Sequence, residues 1–389
     1  MEYGELRHKL GSTEGFETSV EGNRVTLLHD GAQGYPAMLE AIANAQHEIL
    51  LEMYWFASDV TGARFADALI ARARDGIRVV VVYDAIGSLE ADAAQWTRMR
   101  AAGCHVFEYN PIAPWRRRFR IGVVNNRNHR KMLIVDRRIG FTGGINIGDA
   151  WAPEEQGGEG WRDDMIRVEG PAVRQMVNIF RLGVASLVMG MDGVRDTLPP
   201  GAELPEAPSR VQVIANHYFG ERRAIRAAYL TRIRNARRCI YITNSYFVPD
   251  GQIRRSLAEA ARRGVDVRVM VPGEGDVPAV HHASRKRYSW LDDHGIRLYE
   301  WQGVILHAKT AVVDGEWSTV GSYNLDYRSW RFNLEVVVAV EDRSVAKAVE
   351  ERFLLDLENA KAFDRNEHRY RSLGDRFFEN FFYLFRKLL

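Results

Sequence analysis

The sequence has only two cysteines, Cys104 and Cys239, one in each half. Each adjoins a run of strand-forming residues, so both are expected to be buried thiols. A disulfide framework and a cysteine metal site are thereby set aside, and the redox compartment stays open. Long apolar runs are also missing. No stretch approaches the roughly 20 apolar residues that a membrane-spanning helix needs. The first residues, MEYGELRHKLGSTEG, lack the apolar centre of a signal peptide. Nor does charge of one sign dominate: 53 Lys and Arg face 51 Asp and Glu, a formal net charge of +2. That balance argues against wholesale coating by nucleic acid and leaves room for local basic patches. What is present, 46% hydrophobic and 27% charged among 389 residues, suits a globular chain long enough for two ordinary domains.

One stretch occurs twice. His129–Asn146 and His307–Asn324 share every spacing while the residues between differ. A His is followed two places on by a Lys (Lys131, Lys309), then by four residues and an Asp (Asp136, Asp314). Six further residues lead to Gly143-Gly144 or Gly321-Ser322, one spacer, and Asn146 or Asn324. Self-similarity at a fixed internal spacing marks a repeat.

The runs Met132–Val135 and Thr310–Val313 read as strands. Residues two apart on a strand share a face, so each His sides with its Lys. Asp136 and Asp314 fall on turn-like sequence and are better placed to brace a hairpin than to touch a substrate. The small residues Gly144 and Ser322 permit close approach of a ligand, and Asn146 and Asn324 offer neutral amide donors. Two such faces brought together give two imidazoles, two ammonium groups and two amides. That set suits a phosphodiester: one His attacks phosphorus, the other protonates the leaving oxygen, and the lysines and amides hold the charged oxygens. A lone His-x-Lys would be a solvated pair; the repetition points elsewhere.

These segments resemble the paired HKD motifs of the phospholipase D superfamily. The stretches DGAQGYPAMLEAIANAQHEILLEMYWFASDVTG and ITNSYFVPDGQI are similar to its bacterial cardiolipin synthase branch. The resemblance spans about Asp30 to about Leu357 and implies an α/β fold of two α/β/α sandwich halves related by a pseudo-twofold axis, sharing one site. It implies the catalytic set His129, Lys131, Asp136, His307, Lys309 and Asp314. Lacking the N-terminal transmembrane helices of many members, the sequence looks like a branch without that anchor. Members use carboxylates to orient the histidines, which makes Asp163 and Glu335 the candidates; whether each serves its own half or the other stays open. No metal or organic cofactor is called for.

Strands alternating with helices imply a mostly parallel sheet. Tyr35–Ala45, with Pro36 in its first turn, and Ala63–Ala73 read as helices of the first repeat, which begins near Val25. His47–Phe56 and Ile77–Tyr83 read as its strands. Ala224–Ala236, Cys239–Phe247, Ile253–Arg263 and Val265–Val271 repeat the order, with Gly76 and Gly264 as matching punctuation. The expected division is repeat one over 1–188, a linker over 189–210, repeat two over 211–360 and a tail over 361–389.

Basic clusters at Trp115–Arg120, Arg127–Lys131 and Arg285–Arg287 suit capture of anionic head groups. Asp375–Leu389 plots as an amphipathic helix with Phe377, Phe378, Phe381, Phe382, Phe385, Leu388 and Leu389 on one face, and Arg376, Glu379, Asn380, Arg386 and Lys387 opposite. Such a helix lies in a membrane interface, closes a protein core or joins two copies. The expected partners are anionic phospholipids, phosphatidylglycerol and cardiolipin, at the surface of a bacterial inner membrane. The preferred activity is phosphatidyl transfer between lipids through a phosphohistidine. A phospholipase D-type hydrolase or nuclease at the same site, and a non-enzymatic phosphate-binding module, are the alternatives.

Overall fold

The computed structural model describes residues 15–112, 125–189, 209–216 and 223–388. The first half contributes β1 (Phe16–Val20), β2 (Asn23–His29), β3 (Glu48–Met53), β4 (Arg78–Asp84), β5 (His105–Tyr109), β6 (Met132–Val135), β7 (Ile139–Gly143) and β8 (Asp164–Glu169). These form one sheet in the order β1-β2-β8-β7-β6-β3-β4-β5. The second half contributes β9 (Val211–Ala215), β10 (Cys239–Asn244), β11 (Asp266–Pro272), β12 (Arg297–Trp301), β13 (Lys309–Val313), β14 (Trp317–Gly321), β15 (Val336–Glu341) and β16 (Ala360–Ala362). Its sheet runs β16-β12-β11-β10-β13-β14-β15-β9, the same arrangement with different edges.

The sheets are mixed, which corrects the expectation of mostly parallel strands. Among the described strands only β3-β4-β5 and β10-β11-β12 pair in parallel. The motif strands β6 and β13 enter antiparallel to β3 and β10 and return at once as hairpins. A tight turn joins only antiparallel neighbours, so a motif built as a hairpin cannot extend a parallel run. The helices fall close to their expected positions: Asp30–Ala43, Val60–Arg74, Ala224–Asn235 and Gly251–Arg262. Pro36 lies inside its helix instead of in the first turn, because that helix starts at Asp30. The sheet likewise begins earlier than Val25, at Phe16. Gly76 and Gly264, at φ +83° and +89°, follow the second helix of each half in the left-handed conformation that glycine adopts without strain.

Alternation along the strands gives each sheet two apolar faces. In the first half Ile49, Leu51, Val79, Val81, Leu133 and Val135 face the helices Asp30–Ala43, Val60–Arg74 and Ala93–Ala101. Leu50, Val80, Val82, Met132 and Ile134 face inward, into a core that also holds Val336, Val338 and Val340 of the second sheet. The helices Val173–Met189 and Arg343–Asp356 pack into that shared layer, and β7 and β8 approach β14 and β15 directly. Apolar area removed from water at this join is the main force holding the halves together.

The backbone joins them as well. Two short bridges, Asn128 with Leu334 and Arg162 with Leu306, cross between halves just beside the motif histidines. His129 N–H donates to Leu334 O at 3.0 Å, and His307 N–H donates to Arg162 O at 2.7 Å. Beneath the second bridge Arg162 spans the join, donating to Asp164 Oδ1 at 2.8 Å and Asp356 Oδ2 at 2.7 Å. Arg352 completes the network against Asp356 at 2.9 Å.

Candidate active site

Each motif folds as its spacing requires. His129 and Lys131 lead into β6, His307 and Lys309 into β13, and all four are buried. Both histidines line one cavity of about 800 Å³. The cavity lies between the two halves and draws Tyr54, Trp55, Trp151 and Trp161 from the first and Tyr246, Asn324 and Arg328 from the second.

The orienting carboxylates are exchanged between halves. His129 Nδ1 lies 3.0 Å from Glu335 Oε1, and His307 Nδ1 lies 2.7 Å from Asp163 Oδ2. Tying Nδ1 in this way leaves Nε2 as the ring nitrogen for the cavity. The crossing follows from topology: each carboxylate begins the strand after its own hairpin, and the bridges carry that strand end to the other half's histidine.

The two dyads differ in their surroundings. Glu335 accepts from the Ser322 hydroxyl at 2.5 Å, the Ser329 hydroxyl at 2.9 Å and Asn333 Nδ2 at 3.3 Å, besides His129. Burial pushes its pKa up, but His129, Lys131 and Ser322 outweigh that and hold it below the ordinary value. His129 is lowered to about 4, chiefly by burial and in part by Lys131 and Lys309, against the pull of Glu335. At pH 7 this pair is a neutral imidazole on an ionised carboxylate. Among the described residues Asp163 accepts from Trp151 Nε1 at 2.9 Å and the Asp164 N–H at 2.8 Å, besides His307. Burial raises it to about 7, against the opposing charge of Lys309. Burial and Lys309 lower His307. The second pair thus releases a proton near neutrality while the first has already lost its own.

Lys131 Nζ donates to His129 O at 2.9 Å, and Lys309 Nζ donates to His307 O. Burial depresses both amines, Lys309 to about 8. Each lies two residues from a histidine that lines the cavity, while Arg127 and Arg328 line it themselves. Asn146 Oδ1 accepts from Trp55 N–H at 3.1 Å and Asn324 Oδ1 accepts from the Ser245 hydroxyl at 2.9 Å. Each amide is anchored through its oxygen, Asn146 Nδ2 also donates to Gly144 O at 3.5 Å, and both residues line the cavity.

Several sequence expectations need correction. Asp136 and Asp314 do not join the catalytic set implied by the resemblance. They sit at the far ends of β6 and β13, about 17 Å along the strand from the lysines. Asp136 accepts from the N–H groups of Gln46, His47 and Glu48, and Asp314 from those of Arg237, Arg238 and Cys239. Both hold positive φ in the hairpin turn, +52° and +57°. Gly144 and Ser322 meet the carboxylates instead of a phosphate. A Cβ on Gly144 would stand 2.1 Å from Asp163 Oδ1, so the glycine makes room for that side chain. Arg127 and Arg130 are buried, against Asp84 at 3.2 Å and Glu52 at 3.8 Å, and form no exposed capture patch. Arg285 pairs with Glu300 at 2.6 Å, and Arg287 donates to the Tyr383 hydroxyl at 2.7 Å. The cluster Trp115–Arg120 and most of the expected linker lie outside the described residues.

Tyr54 and Tyr246 were not foreseen. Their rings stand 4.8 Å from His129 and 6.5 Å from His307. Each follows the strand that pairs with its motif strand, but one place out of register between the repeats, since Tyr54 corresponds to Ser245 and Tyr246 to Trp55. Trp151 and Trp161, at 5.3 and 6.0 Å from His307, have no counterpart that the repeat could reveal.

The C-terminal helix spans Leu373–Leu384. Glu379, expected on its wet side, is fully buried and accepts from Arg371 at 2.7 and 2.8 Å. Phe382 stacks on His282 at 6.0 Å. Phe378 meets the same ring at 5.7 Å and stays half-exposed, while Phe377 is 62% and Leu384 72% exposed, together with Phe381, Phe385 and Leu388. Leu388 also lines the cavity, and its carbonyl accepts from Arg328 at 3.0 Å. Among the described residues no helix is long and apolar enough to cross a membrane.

Residues 38–175 and 229–357 match the family model described as cardiolipin synthase, PLD-like domain. The chain is 32% identical over 370 residues to cardiolipin synthase 1 of Bacillus anthracis, covering 93% of this chain and 72% of the relative. It is 33% identical over 368 residues to the cardiolipin synthase of Geobacillus kaustophilus, covering 94% and 72%. Among solved structures, phosphatidylserine synthase of Haemophilus influenzae superposes with a TM-score of 0.74 at 15% identity, over 99% of both chains. Polyphosphate kinase of Porphyromonas gingivalis gives 0.60 at 18% identity, over 88% of this chain and 49% of that one. Those two structural likenesses concern the fold. On the sequence matches, which take in both motif histidines and both exchanged carboxylates, the chain belongs to the cardiolipin synthase family of phospholipase D-like proteins.

Proposed function

We propose that the protein transfers a phosphatidyl group from phosphatidylglycerol to the hydroxyl of a second lipid, making cardiolipin when that lipid is phosphatidylglycerol. The observation that carries this reading is the pair of exchanged dyads lining one cavity with unequal proton affinity. His129, neutral and with Nδ1 held by Glu335, presents its Nε2 lone pair and attacks phosphorus. The P–O bond to the headgroup glycerol breaks, and the proton held by the His307–Asp163 pair passes to that oxygen. Glycerol leaves, and the phosphatidyl group stays on His129. The hydroxyl of the second lipid then gives its proton to His307 as its oxygen displaces His129. Lys131, Lys309, Asn146 and Asn324 hold the non-bridging oxygens while charge builds on them.

The donor lipid comes from a bilayer, and the exposed Phe377, Phe381 and Leu384 support docking at its surface. A helix that buries its glutamate and turns its phenylalanines outward suits an interface with acyl chains. In this reading the protein sits peripherally on the inner membrane with Leu388 beside the cavity mouth. Incubation of the purified protein with phosphatidylglycerol vesicles, followed by lipid mass spectrometry, tests the reaction. Cardiolipin and glycerol in equal amounts are expected. Phosphatidic acid as sole lipid product would assign the site to hydrolysis.

A further inference from the structure

The second half places a carboxylate in the cavity wall that phosphate chemistry does not call for. Asp276, between β11 and the helix Pro278–Arg285, lines the cavity with both histidines. Its Oδ2 accepts from the Tyr246 hydroxyl at 2.5 Å. Its Oδ1 is buried and has no hydrogen-bond partner among the described residues. A carboxylate oxygen left so is costly unless a ligand brings a donor to it. The other carboxylate lining the cavity, Asp326, is accounted for, since it caps the helix Tyr327–Arg331 through Ser329 N–H at 2.7 Å.

The repeat sharpens the point. By strand register and by the helix caps Asp59 and Asp250, Tyr246 corresponds to Trp55 and Tyr54 to Ser245, so the ring beside each motif histidine comes from a neighbouring position and not from the same one. Four residues past β11 stands Asp276; four residues past β4 stands Ser88, which donates to the Tyr54 carbonyl at 3.1 Å. The phosphate-holding groups are duplicated, and the carboxylate is not. A phosphodiester is unequal in the same sense, with a diacylglycerol on one side of phosphorus and a polar headgroup on the other. Asp276 stands near His307 and Lys309, whose proton affinities its charge raises. That is the side on which the leaving alcohol is protonated.

We propose that Asp276, steadied by Tyr246, accepts hydrogen bonds from the headgroup hydroxyls of a polyol phospholipid and selects such lipids over those without hydroxyls. The inference rests on the reading above, in which His307 serves the leaving alcohol. Phosphatidylglycerol and phosphatidylmethanol, which differ in those hydroxyls, are the probes. Each is presented in mixed micelles, and release of glycerol or methanol is the measure of turnover. The ratio of kcat/KM for the two lipids is expected to fall about 10- to 100-fold in Asp276→Asn and in Asp276→Ala, the loss of a hydrogen bond to a charged acceptor. Tyr246→Phe, which keeps the carboxylate and removes its anchor, is expected to lower the ratio less. A ratio within about threefold of the original in both Asp276 variants overturns the proposal, as does an equal loss on both lipids. Headgroup release accompanied only by phosphatidic acid would remove the transfer reading, and the ratio would still decide the role of Asp276.

Discussion

Asp163→Asn and Glu335→Gln are isosteric changes at equivalent positions, yet the structure assigns them unequal costs. Glu335 is met by two hydroxyls that can reverse. With the amide nitrogen of Gln at the Oε2 position, Ser322 becomes an acceptor, while His129, Ser329 and Asn333 keep their bonds to the remaining oxygen. The tautomer of His129 survives and only charge is lost, about 1.4–2.8 kcal/mol, or about 10- to 100-fold in kcat. Asp163 is met by groups that cannot reverse, Trp151 Nε1–H and the Asp164 N–H. An amide nitrogen at Oδ2 faces the Trp151 donor and drives His307 to the wrong tautomer; at Oδ1 it faces a backbone donor. A tautomer inversion costs about 10⁴-fold in kcat, and one orphaned buried donor costs about 1–3 kcal/mol of stability. Steady-state transfer rates and urea unfolding of both variants read these quantities. A folded Asp163→Asn protein as active as Glu335→Gln would refute the reasoning.

Four further outcomes are expected. The first step needs His129 neutral and a proton on the His307–Asp163 pair, so kcat/KM rises with pH through about 4 and falls through about 7, where Asp163 titrates; a profile flat from pH 6 to 9 contradicts this assignment. Arg162→Met strands Asp164 and Asp356 in the join between halves and should cost about 3–5 kcal/mol in urea unfolding. Phe377→Ser with Phe381→Ser removes side chains already in water, so the melting temperature should barely move. Partition onto phosphatidylglycerol vesicles should fall about 30-fold, at about 1 kcal/mol for each partly covered ring. Asp136→Ala leaves the N–H groups of Gln46, His47 and Glu48, at the entry to β3, without their side-chain acceptor, so it should lower stability while sparing kcat; a large loss of kcat in stable protein would return Asp136 to the chemistry.

The repeat was the most legible feature of the sequence. His129 and His307, their lysines and the strands behind them follow from identical spacing and period-two alternation, which are local properties. The sheet's mixed pairing was harder to read, because hydrophobic runs buried on both faces look the same in parallel and antiparallel neighbours. Burial of Arg127, Arg130 and Glu379 was illegible for a related reason. Charged residues look solvated until a partner carboxylate or guanidinium from elsewhere in the chain is in place: Asp84 and Glu52 for the arginines, Arg285 besides the nearby Arg371 for Glu379. The exchange of Glu335 and Asp163 between halves depends on two short bridges between segments far apart in sequence. Asp276 was invisible because its significance lies in an acceptor with no partner among the described residues, a property of three-dimensional surroundings alone.

The central claim is that both halves act on a single phosphorus, with His129 as the covalent carrier. Brief exposure to phosphatidylglycerol, a rapid quench at high pH to preserve the P–N bond, proteolysis and mass spectrometry test it directly. A phosphatidyl adduct on the peptide containing His129, and none on the peptide containing His307, is the result expected. An adduct on His307 alone, or on each histidine independently after mutation of the other, would contradict the account.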